Sequence, residues 1–194
     1  MRISKIIIGL TLSLLLASGV AVAADFDKGL TAFNSGDFET ALAEWTPLAE
    51  QGDADAQFNL GHMNASGYGM AENDKTAVKW FTKAAEQGLA EGQFNLGAMY
   101  DFGDGVPEND KTAVKWYTLA AEQGFAIAQR YLGVMYANGR GVPENDKTAV
   151  KWYTKAAEQG YAKGQYNLGT MYANGRGVPE NDKTAVKWYT LAAE

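Results

Sequence analysis

From residue 53 onward the apolar positions return with one spacing again and again. Ala149, Val150, Trp152, Tyr153, Ala156 and Ala157 fall at i, i+1, i+3, i+4, i+7 and i+8, which is one face of an α-helix. Upstream, Ala128, Leu132, Met135 and Tyr136 trace a second helical stripe. The upstream element is helix A and the downstream element helix B. Gly139-Arg140-Gly141 divides them, and Gly160 ends helix B, where a residue free to take left-handed backbone is favoured. Asn145 or Asp146 is placed to accept the unpaired amide N–H groups at the start of helix B. Gly133 interrupts the stripe of helix A. A glycine inside a helix costs about 1 kcal/mol against alanine, so its recurrence at Gly61, Gly97, Gly133 and Gly169 predicts a neighbouring helix close by. Trp80, Trp116, Trp152 and Trp188, one on each B stripe, are expected to fill equivalent packing positions between helices.

The string NDKTAVKW occurs at residues 73–80, 109–116, 145–152 and 181–188, which sets a period of 36 residues. Self-similarity at that period is the mark of a solenoid, in which each unit buries its apolar face on its neighbours. Four units follow: 53–88, 89–124, 125–160 and an incomplete fourth at 161–194. Residues 24–52 form a divergent first unit in which Ser35-Gly36-Asp37 replaces the longer loop and Ala41, Leu42, Trp45, Leu48 and Ala49 restate the B stripe. Pro47 falls inside that helix and should kink its last turn.

These motifs resemble the Sel1-like repeat family. The match runs through Ala126-x-x-Gln129-x-x-Leu132-Gly133-x-Met135-Tyr136-x-x-Gly139-x-Gly141-Val142 and Ala149-x-x-Trp152-Tyr153-x-x-Ala156-Ala157-Glu158-Gln159-Gly160, with Thr148 where the family often has lysine. The 24–52 unit is similar to a tetratricopeptide repeat, a related motif with a shorter turn. The resemblance implies an all-α, right-handed superhelical solenoid of tandem helix-turn-helix repeats, with A helices lining the concave side, and an adaptor or scaffold role. The first full unit departs from its siblings at Asn64, where they carry Tyr100, Tyr136 and Tyr172, and at Ala71, where they carry proline. It is therefore expected to be looser.

Residues 1–23 differ in kind. Arg2 and Lys5 precede the apolar run Ile6–Leu16, and Ala21-Val22-Ala23 supplies small residues before a cleavage point, the pattern of a secretory signal peptide. The run is shorter than the roughly 20 residues a membrane span needs. A periplasmic or secreted location is the expectation. Without residues 1–23 the chain keeps 15 basic against 23 acidic residues, a net charge of −8. Such a surface repels nucleic acid and anionic membranes. The chain has no cysteine, so stability must come from packing and not from disulfides.

Candidate chemistry is sparse. His62 is the only histidine, so catalytic triads, histidine metal pairs and histidine acid–base catalysis lack their parts. The family resemblance also admits β-lactam or peptidoglycan hydrolysis. Serine enzymes of that type use Ser-x-x-Lys, and neither Ser35 nor Ser66 has lysine three residues on. Asp101, Asp104, Glu108 and Asp110 surround one loop but miss the spacing of a calcium-binding loop. Asn64-Ala65-Ser66 matches a glycosylation sequon. No catalytic residue, cofactor or metal site is assigned.

Comparison of the units supplies the functional signal. Variation between them along helix A falls at Asp55, Glu91, Ile127 and Lys163; at Phe58, Phe94, Arg130 and Tyr166; at His62, Ala98, Val134 and Thr170; and at Ser66, Phe102, Asn138 and Asn174. Within a unit these are i, i+3, i+7 and i+11, a single face. A solvated face has little use for aromatic residues, whereas aromatics with arginine are favoured in binding hot spots. Asn59, Asn95 and Asn167 lie beside the stripe, where carboxamides suit a peptide backbone, and Tyr131 breaks that row. The expected binding residues are Phe58, Asn59, His62, Phe94, Asn95, Phe102, Arg130, Tyr131, Tyr166 and Asn167. They point to a protein or extended peptide held in the concave groove; a glycan or cell-wall fragment is the other ligand such aromatics suit. The last B helix repeats the apolar residues Ala185, Val186, Trp188 and Tyr189 with nothing after it to cover them, so self-association through that helix is a further expectation.

Overall fold

A computed structural model describes residues 24–194; the signal-peptide segment 1–23 lies outside them. The described residues form ten α-helices and no strand: α1 (Phe26–Asn34), α2 (Phe38–Glu50), α3 (Ala54–Ser66), α4 (Asp74–Glu86), α5 (Ala90–Phe102), α6 (Asp110–Glu122), α7 (Ala126–Asn138), α8 (Asp146–Glu158), α9 (Ala162–Ala173) and α10 (Asp182–Ala193). Odd-numbered helices are the A helices and even-numbered ones the B helices. Each packs on the helices before and after it, and α7 also touches α9, the A helix of the next unit. The result is an all-α solenoid. None of its helices is long and apolar enough to cross a membrane.

Helix boundaries follow the chemistry of the caps. Asn73, Asn109, Asn145 and Asn181 each accept the amide N–H of the threonine three residues on, so asparagine and not the following aspartate caps α4, α6, α8 and α10, while Asp37 caps α2. At the other end Gly160 takes φ of 80°, its N–H donates to the Ala157 carbonyl, and that of Tyr161 reaches Ala156. This closes α8 as a left-handed glycine cap. The loops are ordered by a bond from the asparagine cap back to helix A: Asn109 N–H donates to Tyr100 at 2.8 Å, Asn145 to Tyr136 at 2.8 Å. The first full unit makes the same bond, Asn73 to Asn64 at 2.8 Å, and Asn64 itself is buried with its amide on the Leu60 carbonyl. Its loop is thus tied back to helix A as in its siblings, and the sequon asparagine is enclosed. In the divergent unit α2 continues through Pro47 to Glu50.

The glycines of helix A do mark close contact. A methyl group at Gly133 would lie 2.6 Å from the Tyr153 ring, and at Gly97 2.8 Å from that of Tyr117. Each ring fills the notch its glycine leaves. The residue that fills the interior is therefore the one after the tryptophan: Phe81, Tyr117 and Tyr153 are buried. Trp80 and Trp116 are only partly buried and lie against the cluster shared with the preceding unit. Trp152 takes the same place against the preceding unit's cluster but is itself buried, so the tryptophans close the core from the next unit while the following residue anchors its own.

Two polar devices set the stacking. Buried Gln57, Gln93, Gln129 and Gln165 donate to the carbonyls of Ala49, Ala85, Ala121 and Ala157 on the preceding B helix. Gln57, Gln93 and Gln129 also accept from Gln87, Gln123 and Gln159, whereas the Oε1 of Gln165 is buried without a hydrogen-bond partner. The second device is the middle residue of each Gly-x-Gly loop. Arg176 grips Asp146 of the preceding unit through Nε at 3.1 Å and Nη2 at 2.7 Å, and its Nη2 also reaches the Ala137 carbonyl at 2.8 Å. Arg140 does the same to Asp110 at 2.6 Å and forms an ion pair with Asp101 at 2.6 Å. At the equivalent place Tyr68 stacks on Phe38, with ring centroids 5.0 Å apart. Asp104 occupies that place in the second full unit, where Gly105 lies against Asp74.

Candidate functional site

The varied stripe of helix A is not a free surface throughout. Phe58 packs against Phe81 with ring centroids 6.0 Å apart, Phe94 against Tyr117 at 5.7 Å, and Tyr166 against Tyr189 at 5.4 Å. One position on helix A thus lays a ring on the anchor ring of its own helix B. Phe94 is held further by Phe125 at 5.5 Å and Tyr131 at 5.4 Å, and Tyr131 in turn touches Tyr117. Phe58, Phe94 and Tyr131 are therefore half-buried parts of the packing. By contrast Tyr166 and Phe102 are 60% and 59% exposed, large aromatic surfaces turned to solvent.

Three of the expected residues converge. Arg130 takes the place of the aromatic in the third full unit; its Nε donates to Asn167 Oδ1 at 3.2 Å, and its guanidinium lies 4.8 Å from the centre of the Tyr131 ring. Arg130, Asn167 and Tyr166 line a pocket of about 270 Å³ together with Ala162, Lys163 and Ala192. Beside it, Tyr166, Tyr189, Ala192 and Ala193 line a more open hollow. Burial pushes the Tyr153 hydroxyl up to about 12, against the pull of Arg130 and Arg176.

The remaining expected residues lie apart from this pocket. His62 belongs to an aromatic group at the other end of the stack, 6.2 Å from Phe33 and 5.7 Å from Tyr68. Asn95 spends its amide on the Glu91 carbonyl of its own helix. Lys163 and Ala192 were not among the residues expected. Lys163 stood in the varied stripe and its charge was the available signal; Ala192 comes from α10, which no pattern within helix A could reveal. Around the loop of the second full unit the carboxylates turn to protein partners: Asp101 accepts from the Tyr117 hydroxyl at 3.0 Å, and both Asp101 and Asp110 face Arg140. Burial, with the Asp101 carboxylate alongside, drives the Tyr117 hydroxyl far above its ordinary range, so it stays a donor.

Helix pairs recurring at one period, stacked through a shared glycine notch and a glutamine ladder, define a repeat protein whose A helices carry differences between units. The Sel1 repeat matches residues 54–89, 90–125, 126–161 and 162–194, and the chain belongs to that family. Among solved structures it is similar to a Sel1 repeat protein from Oxalobacter formigenes, with 36% identity and a TM-score of 0.81 over 87% of this chain and 70% of that one. It is also similar to c5321, a protective antigen present in uropathogenic Escherichia coli strains displaying an SLR fold, with 41% identity and a TM-score of 0.76 over 78% of this chain. The chain spans only 32% of that protein's length. No curated protein matches it. Sel1 repeat proteins are generally scaffolds for protein–protein interaction, and their fold is typically non-catalytic.

Proposed function

We propose that this chain is an exported adaptor that holds a protein or extended peptide along the inner face of its solenoid. The observation that carries the reading is the exposure of Tyr166 and Phe102 on a face where Phe58 and Phe94 pack inward. A ring left open to water forgoes burial worth about 25 cal/mol per Å² of apolar surface, which a bound partner recovers. The pocket at Arg130 and Asn167 lies beside Tyr166 and supplies polar anchors to go with it. The pattern of Arg2, Lys5, the apolar Ile6–Leu16 run and Ala21-Val22-Ala23 supports export to the periplasm or beyond.

The reading is tested by capture from envelope extract. Tyr166→Ala with Phe102→Ala should abolish retention of a specific partner with helicity unchanged, whereas Lys115→Ala with Lys151→Ala on the outer face should not. Phe94→Ala is a poor probe, because that ring is wedged among Tyr117, Phe125 and Tyr131 and its loss unpacks the unit. Equal loss from both pairs of substitutions removes any privilege of the inner face. The reading extends to contact between copies through α10, supported by Val186 at 62% and Leu191 at 37% exposure; sedimentation that finds a strict monomer over a wide concentration range removes that part.

A further inference from the structure

The inner face carries a change of sign along its length. At the first varied position, which lies in the opening turn of each A helix, the residues run Asp55, Glu91, Ile127 and Lys163. Acidic residues there need no functional reason, because the positive end of a helix dipole favours them. Lys163 stands against that preference. It opens α9, whose N-cap residue Tyr161 provides no side-chain hydrogen bond, so backbone N–H groups add to the same positive potential. Arg130 is the second departure: where the sibling units lay Phe58, Phe94 and Tyr166 on an anchor ring, this one puts a guanidinium.

These two departures meet in one pocket. Arg130 and Lys163 both line it, no acidic residue does, and neither cation forms an ion pair among the described residues. The other two arginines on the described chain, Arg140 and Arg176, are each tied to carboxylates. Arg130 is oriented by Asn167 through Nε alone, which leaves the Nη groups to a ligand, and its guanidinium lies over the Tyr131 ring. A guanidinium so held, with an ammonium beside it, is shaped for a carboxylate. Ala162, Ala192 and the exposed face of Tyr166 supply apolar contact next to the charge.

We propose that the inner face takes an extended acidic peptide and that a Glu or Asp side chain of that peptide seats between Arg130 and Lys163. This rests on the reading of the inner face as a peptide groove and names its ligand chemistry. The graded sign fixes direction as well: Asp55 and Glu91 repel an acidic segment from the first two full units, so the peptide's charge gathers over the last two. A gradient spread over several units reads charges spread along a segment, which side chains carry and a single chain terminus does not.

The test uses fluorescence anisotropy on the full chain with three labelled peptides: Ala-Leu-Glu-Leu-Glu-Ala blocked at both ends, the same peptide with Gln for Glu, and the Gln peptide with a free carboxyl terminus. The blocked acidic peptide should bind at least about 10-fold tighter than its Gln counterpart. Arg130→Gln with Lys163→Gln should erase the difference at unchanged melting temperature, and Lys163→Glu alone, a surface change away from the core, should invert it. Equal binding of acidic and Gln peptides overturns the carboxylate assignment while leaving the groove reading intact. Equal binding of the free-terminus peptide and the acidic one, lost in the same variants, overturns the side-chain assignment in favour of a chain end. Binding of none of the three overturns the acidic-peptide inference, and the groove reading is then judged on the capture experiment alone.

Discussion

Asp104 stands where Arg140 and Arg176 clamp one unit to the unit before. In the two intact clamps the arginine meets the first residue of the preceding B helix, Asp110 or Asp146, and reaches the last turn of the preceding A helix. The counterpart of those aspartates at the junction with Asp104 is Asp74, so two carboxylates share the place where an ion pair occurs elsewhere. Asp104→Arg should restore the clamp to Asp74 and to the Ala65 carbonyl, the counterpart of Ala137. Hydrogen bonds to charged groups contribute about 1.5–3 kcal/mol when well buried. Arg176 and Asp146 are both partly open to water, and exposed pairs fall to about 1 kcal/mol or less. A gain of about 1 kcal/mol is therefore expected, or roughly 2–4 °C in melting temperature for a chain of this size. Asp104→Ala separates the contributions, since it relieves like-charge repulsion without building the clamp. Urea unfolding, with amide exchange read across α3–α5, measures both. If Asp104→Arg is no more stable than Asp104→Ala, or if Asp74→Asn fails to remove the gain, the clamp has no energetic role.

Other perturbations test the packing. Gly133→Ala should destabilise by about 1–2 kcal/mol despite alanine's better helix propensity, because the added methyl meets the Tyr153 ring at 2.6 Å; a higher melting temperature would falsify the notch. Tyr117→Ala should cost roughly 3–5 kcal/mol as a buried large-to-small change, and Trp116→Ala less, since that ring is partly exposed; thermal melts that rank the two the other way reverse the assignment of the anchor. In the first unit the Lys28 ammonium and then the Asp25 amide N–H hold the Glu44 carboxyl below its ordinary value. The native state therefore binds fewer protons than the unfolded one, and this stabilisation is present above about pH 4.5 and lost as pH falls through the lowered value. The gap in melting temperature between the native chain and Glu44→Gln should accordingly be wider at pH 7 than at pH 3, and a gap that does not narrow in acid contradicts the pairing.

Periodicity alone made the helices and their order readable, because those depend on residues one or two turns apart, and the recurrence of the helix A glycines pointed to a close neighbour without naming the ring that fills each notch. What escaped depended on side chains 30 or more residues apart. The glutamine ladder joins Gln93 to Gln123 and the arginine clamp joins Arg176 to Asp146, and neither partner is near in sequence. Trp116 and Tyr117 both lie on the apolar stripe, which does not separate them; only the position of Gly97 decides which ring goes in. Of the expected binding residues, Arg130, Tyr166 and Asn167 come together because they sit at matching places on α7 and α9, which touch. Phe94 and Tyr131 turn inward because an aromatic on one helix face finds the anchor ring of the next helix before it finds solvent.

The loop clamps also bear on how the chain finds its own order. Units that repeat NDKTAVKW four times offer almost the same notch and the same glutamine to every neighbour, so an A helix could stack on the wrong B helix with little loss of contact. What distinguishes the junctions is the middle residue of each loop: Tyr68 fits only against Phe33 and Phe38, Arg140 finds its buried carboxylate only at Asp101, and Asp104 suits neither. These residues give the first three junctions different side-chain partners, while Arg176 repeats the aspartate clamp of Arg140. Interchanging Tyr68 and Arg140 should leave each helix pair intact while producing slow, misordered folding, because addressing and packing are carried by different side chains.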